Sequence, residues 1–224
     1  MRRTVPLITI IVLSFTLNFQ GLAQLQFVQH TISDTLDQAH NVFAIDLDAD
    51  EDMDVIGASK EADCICWWEN DGNQVFIEHP VSDVFEGAVS VFAIDLDQDD
   101  DIDILGAGRS GNILSWWEND GNLVFTERVI TADFPGANSI FAVDIDSDGD
   151  YDVLGTALSD SRVSWWENDG TQVFTRHDIV DSFTGASRAV ATDLDGDSDM
   201  DIVATAYFDN MLCWFCLLYT SDAA

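Results

Sequence analysis

Residues 46–54 read DLDADEDMD, a nine-residue stretch with an aspartate at every odd position. The same spacing of aspartates returns at 95–103, 144–152 and 193–201, each time 49 residues further along the chain. We name these four stretches loops 1 to 4. The same interval separates the tryptophans Trp67, Trp116, Trp165 and Trp214. A fixed period without insertions indicates a chain built from copies of one supersecondary unit.

Around loop 1 the sequence predicts strands and no helix. Runs rich in β-branched, apolar and aromatic residues span 41–45 before the loop and 55–58, 64–68 and 75–79 after it. An Asp-Gly pair at 71–72 suits the tight turn of a hairpin. Four short antiparallel strands in a unit of this length are typical of a β-propeller blade. We therefore expect an all-β fold, a β-propeller of four-stranded antiparallel blades over residues 24–215 with about four blades present.

The repeat region begins and ends with an incomplete unit. The fourth unit begins near Ala186 and stops after its third strand, so we expect a partial propeller. Residues 27–32 are a lone copy of the fourth strand, and we expect them to pair with a final blade beyond this sequence. Within a unit, Trp67 and Trp68 point to opposite faces of one strand. We expect both to pack between blades; the alternative is that their rings stack on sugars.

The loops concentrate negative charge, since they hold 22 of the 42 Asp and Glu residues. Two carboxylates about 5 Å apart repel one another by roughly 1 kcal/mol in water and by more near a protein. A hard divalent cation reverses that repulsion, and Ca²⁺ accepts about six to eight oxygen ligands in a flexible geometry. Mg²⁺ demands a stricter octahedron, and zinc prefers nitrogen or sulfur ligands, which do not recur here. We predict Ca²⁺ in every loop; the alternative is a solvated acidic turn without metal.

An EF-hand also begins Asp-x-Asp-x-Asp, but the pattern fails at its later positions. That loop needs a glutamate at position 12 and helices on both sides. The residues at position 12 are Gly57, Gly106, Gly155 and Ala204, and the flanks are strand-like runs of Val, Ile and Leu. The sequence therefore excludes an EF-hand.

The loops, the strand pattern and the Gly-Ala pair at 57–58 resemble FG-GAP/VCBS repeats, the units of the integrin α-chain propeller and of many secreted bacterial proteins. The resemblance covers about residues 27–215. In that family, side chains at loop positions 1, 3, 5 and 9 and the carbonyl at position 7 hold Ca²⁺. The side-chain ligands that this implies are Asp46, Asp48, Asp50, Asp54, Asp95, Asp97, Asp99, Asp103, Asp144, Asp146, Asp148, Asp152, Asp193, Asp195, Asp197 and Asp201. The carbonyl ligands that it implies belong to Asp52, Asp101, Asp150 and Asp199.

Two departures from the family pattern bear on these sites. The glycine that the family carries at position 6 survives only as Gly149, while Glu51, Asp100 and Ser198 stand in the other loops. We expect strain or weaker binding in those three loops. The Gly-Ala pair at 57–58 and its copies also lack the proline of the family.

The two termini lie outside the repeats. Residues 1–23 read as a secretory signal peptide, with Arg2 and Arg3 ahead of an apolar stretch and small residues before Gln24. The alternative is an uncleaved membrane anchor. Residues 216–224 match no copy of the repeat and resemble the translation of a sequencing adaptor, so we expect an artefact there and a longer natural protein. A genuine short strand is the other interpretation.

Charge and motifs limit the function. The net charge of -34 repels nucleic acid and anionic lipid, and it attracts cations. The sequence has no nucleophile elbow, phosphate loop, dinucleotide fingerprint or zinc-protease motif. We expect no enzyme but a secreted or cell-surface calcium-binding scaffold for adhesion, with an extracellular protein or glycan as ligand and no membrane span after signal removal. The alternatives are the non-catalytic propeller part of a larger secreted carbohydrate-active enzyme and a lectin-like sugar binder.

Histidines and cysteines complete the set of reactive side chains. His79 and His177 share a repeat position with Arg128, which favours polar contacts at a strand edge over catalysis. Cys64 and Cys66 lie two apart in one predicted strand and face the same side. Their Cα spacing is at the limit for a disulfide, so we expect small packed residues and no disulfide framework.

Overall fold

The computed structural model describes residues 26–218, and it contains strands and no helix over that range. These residues fall into two units, one that ends at Thr31 and one that begins at Ile32. All strands lie in the second unit. The predicted signal peptide at 1–23 lies outside the described residues, as do residues 219–224 of the predicted artefact.

Fifteen strands form four antiparallel sheets, each with its strands in chain order. The first sheet has β1 (Ala39–Ile45), β2 (Asp54–Ser59), β3 (Cys64–Asn70) and β4 (Phe76–Ser82). The second has β5 (Ala88–Ile94), β6 (Asp103–Gly108), β7 (Ile113–Asn119) and β8 (Phe125–Thr131). The third has β9 (Ala137–Val143), β10 (Asp152–Ala157), β11 (Arg162–Asn168) and β12 (Phe174–Val180). The fourth has only β13 (Ala186–Thr192), β14 (Asp201–Ala206) and β15 (Met211–Phe215).

This architecture confirms the all-β class and the four-stranded antiparallel unit. The fourth sheet stops after its third strand, as the sequence predicted. The sheets are not closed into a barrel among the residues described. Residues 27–32 form no strand, and Phe27 is 98% exposed; their pairing with a further blade stays a prediction, which the four sheets described do not test. A single strand cannot satisfy its backbone groups without a partner edge.

Successive sheets pack face to face through apolar side chains. Ile65, Leu114 and Val163 occupy one repeat position on the third strands, and all three are 0% exposed. The opposing sheet comes so close that a Cβ on Gly106 would lie 2.7 Å from Ile65 Cδ1 and 2.8 Å from the Trp117 ring. Only glycine permits this approach without displacing a core side chain.

The tryptophan pairs of the first and second sheets are core residues, as expected, whereas Trp165 is half-buried and Trp214 is 46% exposed. Trp67 and Trp68 are 2% and 3% exposed, and Trp116 and Trp117 are equally buried. Phe85 and Phe134 pack edge-on against Trp117 and Trp166, with ring centroids 4.9 Å apart in both cases. Burial on both faces of each sheet therefore explains the adjacent aromatic residues.

Candidate metal centres

Each acidic loop occupies the same place in its sheet. Loop 1 leaves β1 after Ile45 and ends at Asp54, the first residue of β2. Loops 2, 3 and 4 connect the first two strands of the other sheets in the same way. Gln98 of loop 2 donates a hydrogen bond from Nε2 to the Gly149 carbonyl of loop 3 at 2.6 Å. The loops of the second and third sheets are therefore neighbours.

Carboxylates gather in all four loops. In loops 1, 2 and 4 the aspartates at positions 1, 3 and 5 each bring one oxygen within 4.8 Å of the others. In loop 3 the group consists of positions 1, 3 and 9. The members are Asp46, Asp48, Asp50; Asp95, Asp97, Asp99; Asp144, Asp146, Asp152; and Asp193, Asp195, Asp197. The structure thus brings together most of the predicted side-chain ligands.

The first aspartate of each loop also shapes the backbone. Asp46 accepts hydrogen bonds from the backbone N–H groups of Asp50 at 3.1 Å and Glu51 at 3.0 Å. Asp95 accepts the equivalent pair in loop 2, both at 3.0 Å. These bonds curl the chain so that the side chains at positions 3 and 5 turn towards position 1.

The last aspartate is a buried anchor. Asp54, Asp103, Asp152 and Asp201 are all 0% exposed. In Asp103, Oδ2 accepts the Leu96 N–H at 2.9 Å and Oδ1 accepts the Asn119 N–H at 2.8 Å. The other three aspartates make the same two backbone contacts. Position 9 therefore ties the start of its loop to the end of the third strand.

Burial and crowding of like charges raise several carboxyl pKa values. Burial raises the pKa of Asp103 to about 7, opposed by the N–H groups of Asn119 and Leu96 and reinforced by Asp97 and Asp99. Burial also raises the pKa of Asp152 to about 6, again opposed by two backbone N–H groups and reinforced by neighbouring carboxylates. The pKa of Asp97 rises to about 6, first because of burial and then because of Asp99 and Glu118. A bound cation would favour the ionised form of every one of these groups.

The donor set fits a hard cation. Every group in the clusters is a carboxylate, with no sulfur or imidazole among them. Asp97 Oδ1 is buried and has no hydrogen-bond partner among the described residues. An oxygen left without a donor in a cluster of anions is suited to accept a metal ion. The chemistry that a divalent cation would supply here is cross-linking of the loop oxygens.

The side chains at position 7 point elsewhere. A Cβ on Gly72 would lie 2.5 Å from Asp52 Oδ2, and a Cβ on Gly121 would lie 2.6 Å from Asp101 Oδ2. These carboxylates therefore lie against the Asp-Gly turn between the third and fourth strands, outside the clusters. The position is compatible with the carbonyl role implied by the resemblance, which stays a prediction.

The backbone of the loops carries the strain expected at position 6 and more at position 4. Glu51, Asp100 and Ser198 have φ of 75°, 76° and 80°, in the left-handed region that glycine prefers. Position 4 is also left-handed in each loop, at Ala49, Gln98, Ser147 and Gly196. The sequence did not reveal this second left-handed position, because three of its four residues are not glycine.

A buried asparagine completes the site and was missed from the sequence. Asn119 and Asn168, at the ends of β7 and β11, are 2% and 1% exposed. Their Nδ2 groups donate to the carbonyls of Ile102 and Tyr151 at position 8 of the loops, both at 3.2 Å. The Trp-Trp-Glu-Asn sequence common to three units was the available indication.

The glutamate before that asparagine pairs with a basic residue on the fourth strand. Glu69 and Glu167 contact His79 and His177 at 2.9 and 2.7 Å. Each histidine also stacks on a tryptophan of the neighbouring strand. In the second sheet Arg128 takes this place and contacts Glu118 at 2.7 Å. The expected polar contacts at the strand edge are thus present.

A family model named FG-GAP-like repeat matches the sequence three times, over residues 46–106, 95–155 and 152–204. These matches cover more than half of the chain. The chain belongs to the FG-GAP-like repeat family. The family resemblance drawn from the loops is therefore confirmed. No protein with a curated description matches the sequence.

One solved structure shares the fold at low identity, and a second aligns more weakly. A lectin of Agrocybe aegerita that recognises non-reducing terminal N-acetylglucosamine aligns at TM-score 0.53 and 20% identity, over 75% of this chain and 48% of the lectin. The V. cholerae biofilm matrix protein Bap1 aligns at TM-score 0.41 and 17% identity, over 81% of this chain and 31% of Bap1. This FG-GAP-like chain thus spans less than half the length of each.

Proposed function

We propose that this FG-GAP-like chain is an extracellular, non-catalytic repeat protein whose acidic loops bind Ca²⁺ and brace a propeller-type scaffold for adhesion. The observation that carries the proposal is the recurrence of one carboxylate cluster, at one place in the sheet, in four successive units. Active sites are single, whereas a feature repeated in every unit serves the scaffold. Among residues 26–218 no helix has the length and apolarity to cross a membrane.

Face-to-face packing of the sheets supports the propeller arrangement. The first strands of neighbouring sheets contact one another through Phe43, Phe92 and Phe141, with ring centroids 4.9 Å apart at both steps. Each sheet therefore keeps its first strand on the same side of the stack. Radial repetition of four-stranded sheets around an axis is the propeller plan.

Calcium would contribute to stability in proportion to the logarithm of its excess over the dissociation constant. Extracellular Ca²⁺ about 10- to 100-fold above that constant stabilises a folded chain by about 1.4 to 2.7 kcal/mol per site. Four independent loops would contribute about four times that amount. The folded state would then depend strongly on calcium outside the cell.

Removal of calcium tests this proposal. Chelation should lower the melting temperature of the full chain by roughly 10 °C or more, since about 1 kcal/mol shifts a chain of this size by 2–4 °C. Added Ca²⁺ should restore the transition, while Mg²⁺ restores little because of its stricter geometry. A melting curve that does not move on chelation would contradict the calcium role.

A second candidate function, sugar binding, is favoured by one cleft. A cleft of about 380 Å³ lies between the second and third sheets, and its lining includes Glu118, Arg128, Thr171, Gln172 and Phe174. The Arg128–Glu118 ion pair offers donors and acceptors beside an aromatic ring. A few polar groups converging next to aromatic surface are typical of small-ligand sites.

A glycan array with a matched variant tests this second candidate. Arg128→His installs the residue found in the first and third sheets, so the fold should tolerate it. If the cleft holds a sugar, wild-type chain should bind glycans on the array and Arg128→His should lose that binding. Glycan binding that survives in the variant would exclude the cleft.

A further inference from the structure

Two thiols lie side by side in the first sheet, outside the acidic loops. Cys64 and Cys66 lie on the same face of β3, and their Sγ atoms are 3.9 Å apart. Cys64 is partly exposed, and Cys66 is 6% exposed. No step of the proposed calcium function uses either residue.

The repeat itself does not require this pair. The residues at the two positions are Ile113 and Ser115 in the second sheet and Arg162 and Ser164 in the third. Packing of the repeat thus accepts an aliphatic or charged side chain at the first position and a hydroxyl at the second. A requirement of the fold therefore does not explain two adjacent cysteines in one unit.

The geometry suits a shared metal ion better than a disulfide. Residues two apart in a strand have Cα atoms about 6.5–7 Å apart, at the upper limit for a disulfide. A metal with metal–sulfur bonds of about 2.3 Å and a tetrahedral angle between them needs two sulfurs about 3.8 Å apart. The observed separation of 3.9 Å matches that spacing.

A carboxylate on the neighbouring strand occupies a repeat position from which a glutamate reaches the second thiol position in the adjacent sheet. Glu78 on β4 is exposed, and its Oε2 accepts the Trp68 Nε1–H at 3.2 Å. In the second sheet, the equivalent Glu127 accepts a hydrogen bond from Ser115, the counterpart of Cys66, at 2.9 Å. The side chain at the Glu78 position can therefore reach the Cys66 position. Because Glu78 is exposed, a site that includes it is accessible to solvent.

The electrostatic surroundings favour a cation. Burial raises the pKa of the Cys66 thiol to about 12, and Cys64, Glu78 and Asp83 add to the effect. The negative charges that disfavour a free thiolate are the charges that attract a metal ion. Metal binding therefore has to displace the thiol protons, which strongly thiophilic cations do.

We propose that Cys64 and Cys66 form a binding site for a thiophilic d¹⁰ cation such as Cd²⁺, Zn²⁺ or Cu⁺, with Glu78 as an oxygen ligand. Each thiol releases one proton to solvent and donates a sulfur lone pair to the ion, and no electron is transferred. Sulfur ligands select this class of cation, whereas the carboxylate loops suit hard cations. The two kinds of site therefore prefer different classes of metal ion.

Cadmium titration of the full chain, with calcium present to occupy the loops, tests this proposal. Binding should produce the ultraviolet charge-transfer absorption of cadmium thiolates, saturating at one equivalent. Cys66→Ser, which installs the residue of the second and third sheets, should weaken that site by roughly tenfold or more. Cys64→Ser should do the same, while Cys213→Ser and Cys216→Ser serve as matched controls and leave it unchanged.

Three results would overturn the proposal. The first is the absence of charge-transfer absorption in reduced, folded protein. The second is a cadmium affinity that Cys66→Ser leaves unchanged or that Cys216→Ser weakens. The third is a purified chain in which Cys64 and Cys66 are already oxidised to a disulfide, detected as the loss of two hydrogens in the intact mass.

Discussion

At the scale of single residues, the buried aspartate at position 9 of each loop has a double role. Asp103 accepts two backbone N–H groups from different parts of the chain, and its carboxylate lies near enough to Asp97 and Asp99 for their charges to raise its pKa. Asparagine has one acceptor oxygen on its side chain, so Asp103→Asn leaves one buried N–H facing an amide donor. The variant should lose about 1–3 kcal/mol of unfolding free energy even without metal, measured by urea denaturation.

Asp101→Asn is the matched control for that variant. It removes the same charge from the same loop, but the Asp101 side chain lies against the Gly121 turn, outside the carboxylate cluster. Its unfolding free energy without metal should change by less than about 0.5 kcal/mol. Equal losses in the two variants would mean that position 9 is not the anchor of its loop.

At the scale of elements, packing between sheets determines which apolar residues matter. Leu114 and Leu212 occupy the same position on β7 and β15, yet Leu114 is 0% exposed and Leu212 is 73% exposed. Leu114→Ala should lower the unfolding free energy by about 2–5 kcal/mol, since it leaves a cavity between the sheets. Leu212→Ala should change it by less than about 0.5 kcal/mol.

Chemical denaturation of the two leucine variants in calcium provides the comparison. Similar losses for both substitutions would show that the face of the fourth sheet is covered in solution. A negligible loss for Leu114→Ala would contradict the packing of the second sheet against the third.

Strands and loops were predictable from the sequence because one pattern recurs four times. The predicted runs at 41–45, 55–58 and 64–68 lie inside β1, β2 and β3, and only the ends of the strands differ. Residues 27–32 have the same local pattern but form no strand here, because a local pattern indicates β-propensity and does not supply a partner edge. The pairing of distant strands cannot be predicted from the local sequence alone.

The candidate site was less completely predictable. Alternating aspartates identified the carboxylate clusters, since the members of each cluster lie within one nine-residue loop. The buried Asn119 and the left-handed Gln98 depend on how the third strand and the loop meet in three dimensions. The spacing of residues within the loop does not predict that contact between strand and loop.

At the scale of the whole molecule, acidity and stability are linked. Burial raises the pKa values of Asp103 and Asp152 from 3.8 to about 7 and about 6. A folded state that binds these protons more tightly than the unfolded chain is favoured at low pH. That stability is fully present below pH 3.8 and is lost as pH rises through the folded pKa values.

The metal-free chain should therefore become less stable as pH rises from about 4 to about 7. Calcium should reverse the trend, because it binds the ionised carboxylates that appear over the same interval. Melting temperatures across this range, with and without Ca²⁺, measure both effects. Metal-free stability that increases over this range would contradict the assigned shifts.

The most direct measurement of the central claim is the calcium stoichiometry of the folded chain. Isothermal titration of metal-free protein with CaCl₂ should give saturable binding of four ions, one for each carboxylate cluster. Replacing Asp95, Asp97 and Asp99 of loop 2 by asparagine should reduce the number to three. Folded protein that shows no saturable binding, or a stoichiometry that this triple variant leaves unchanged, would contradict the account.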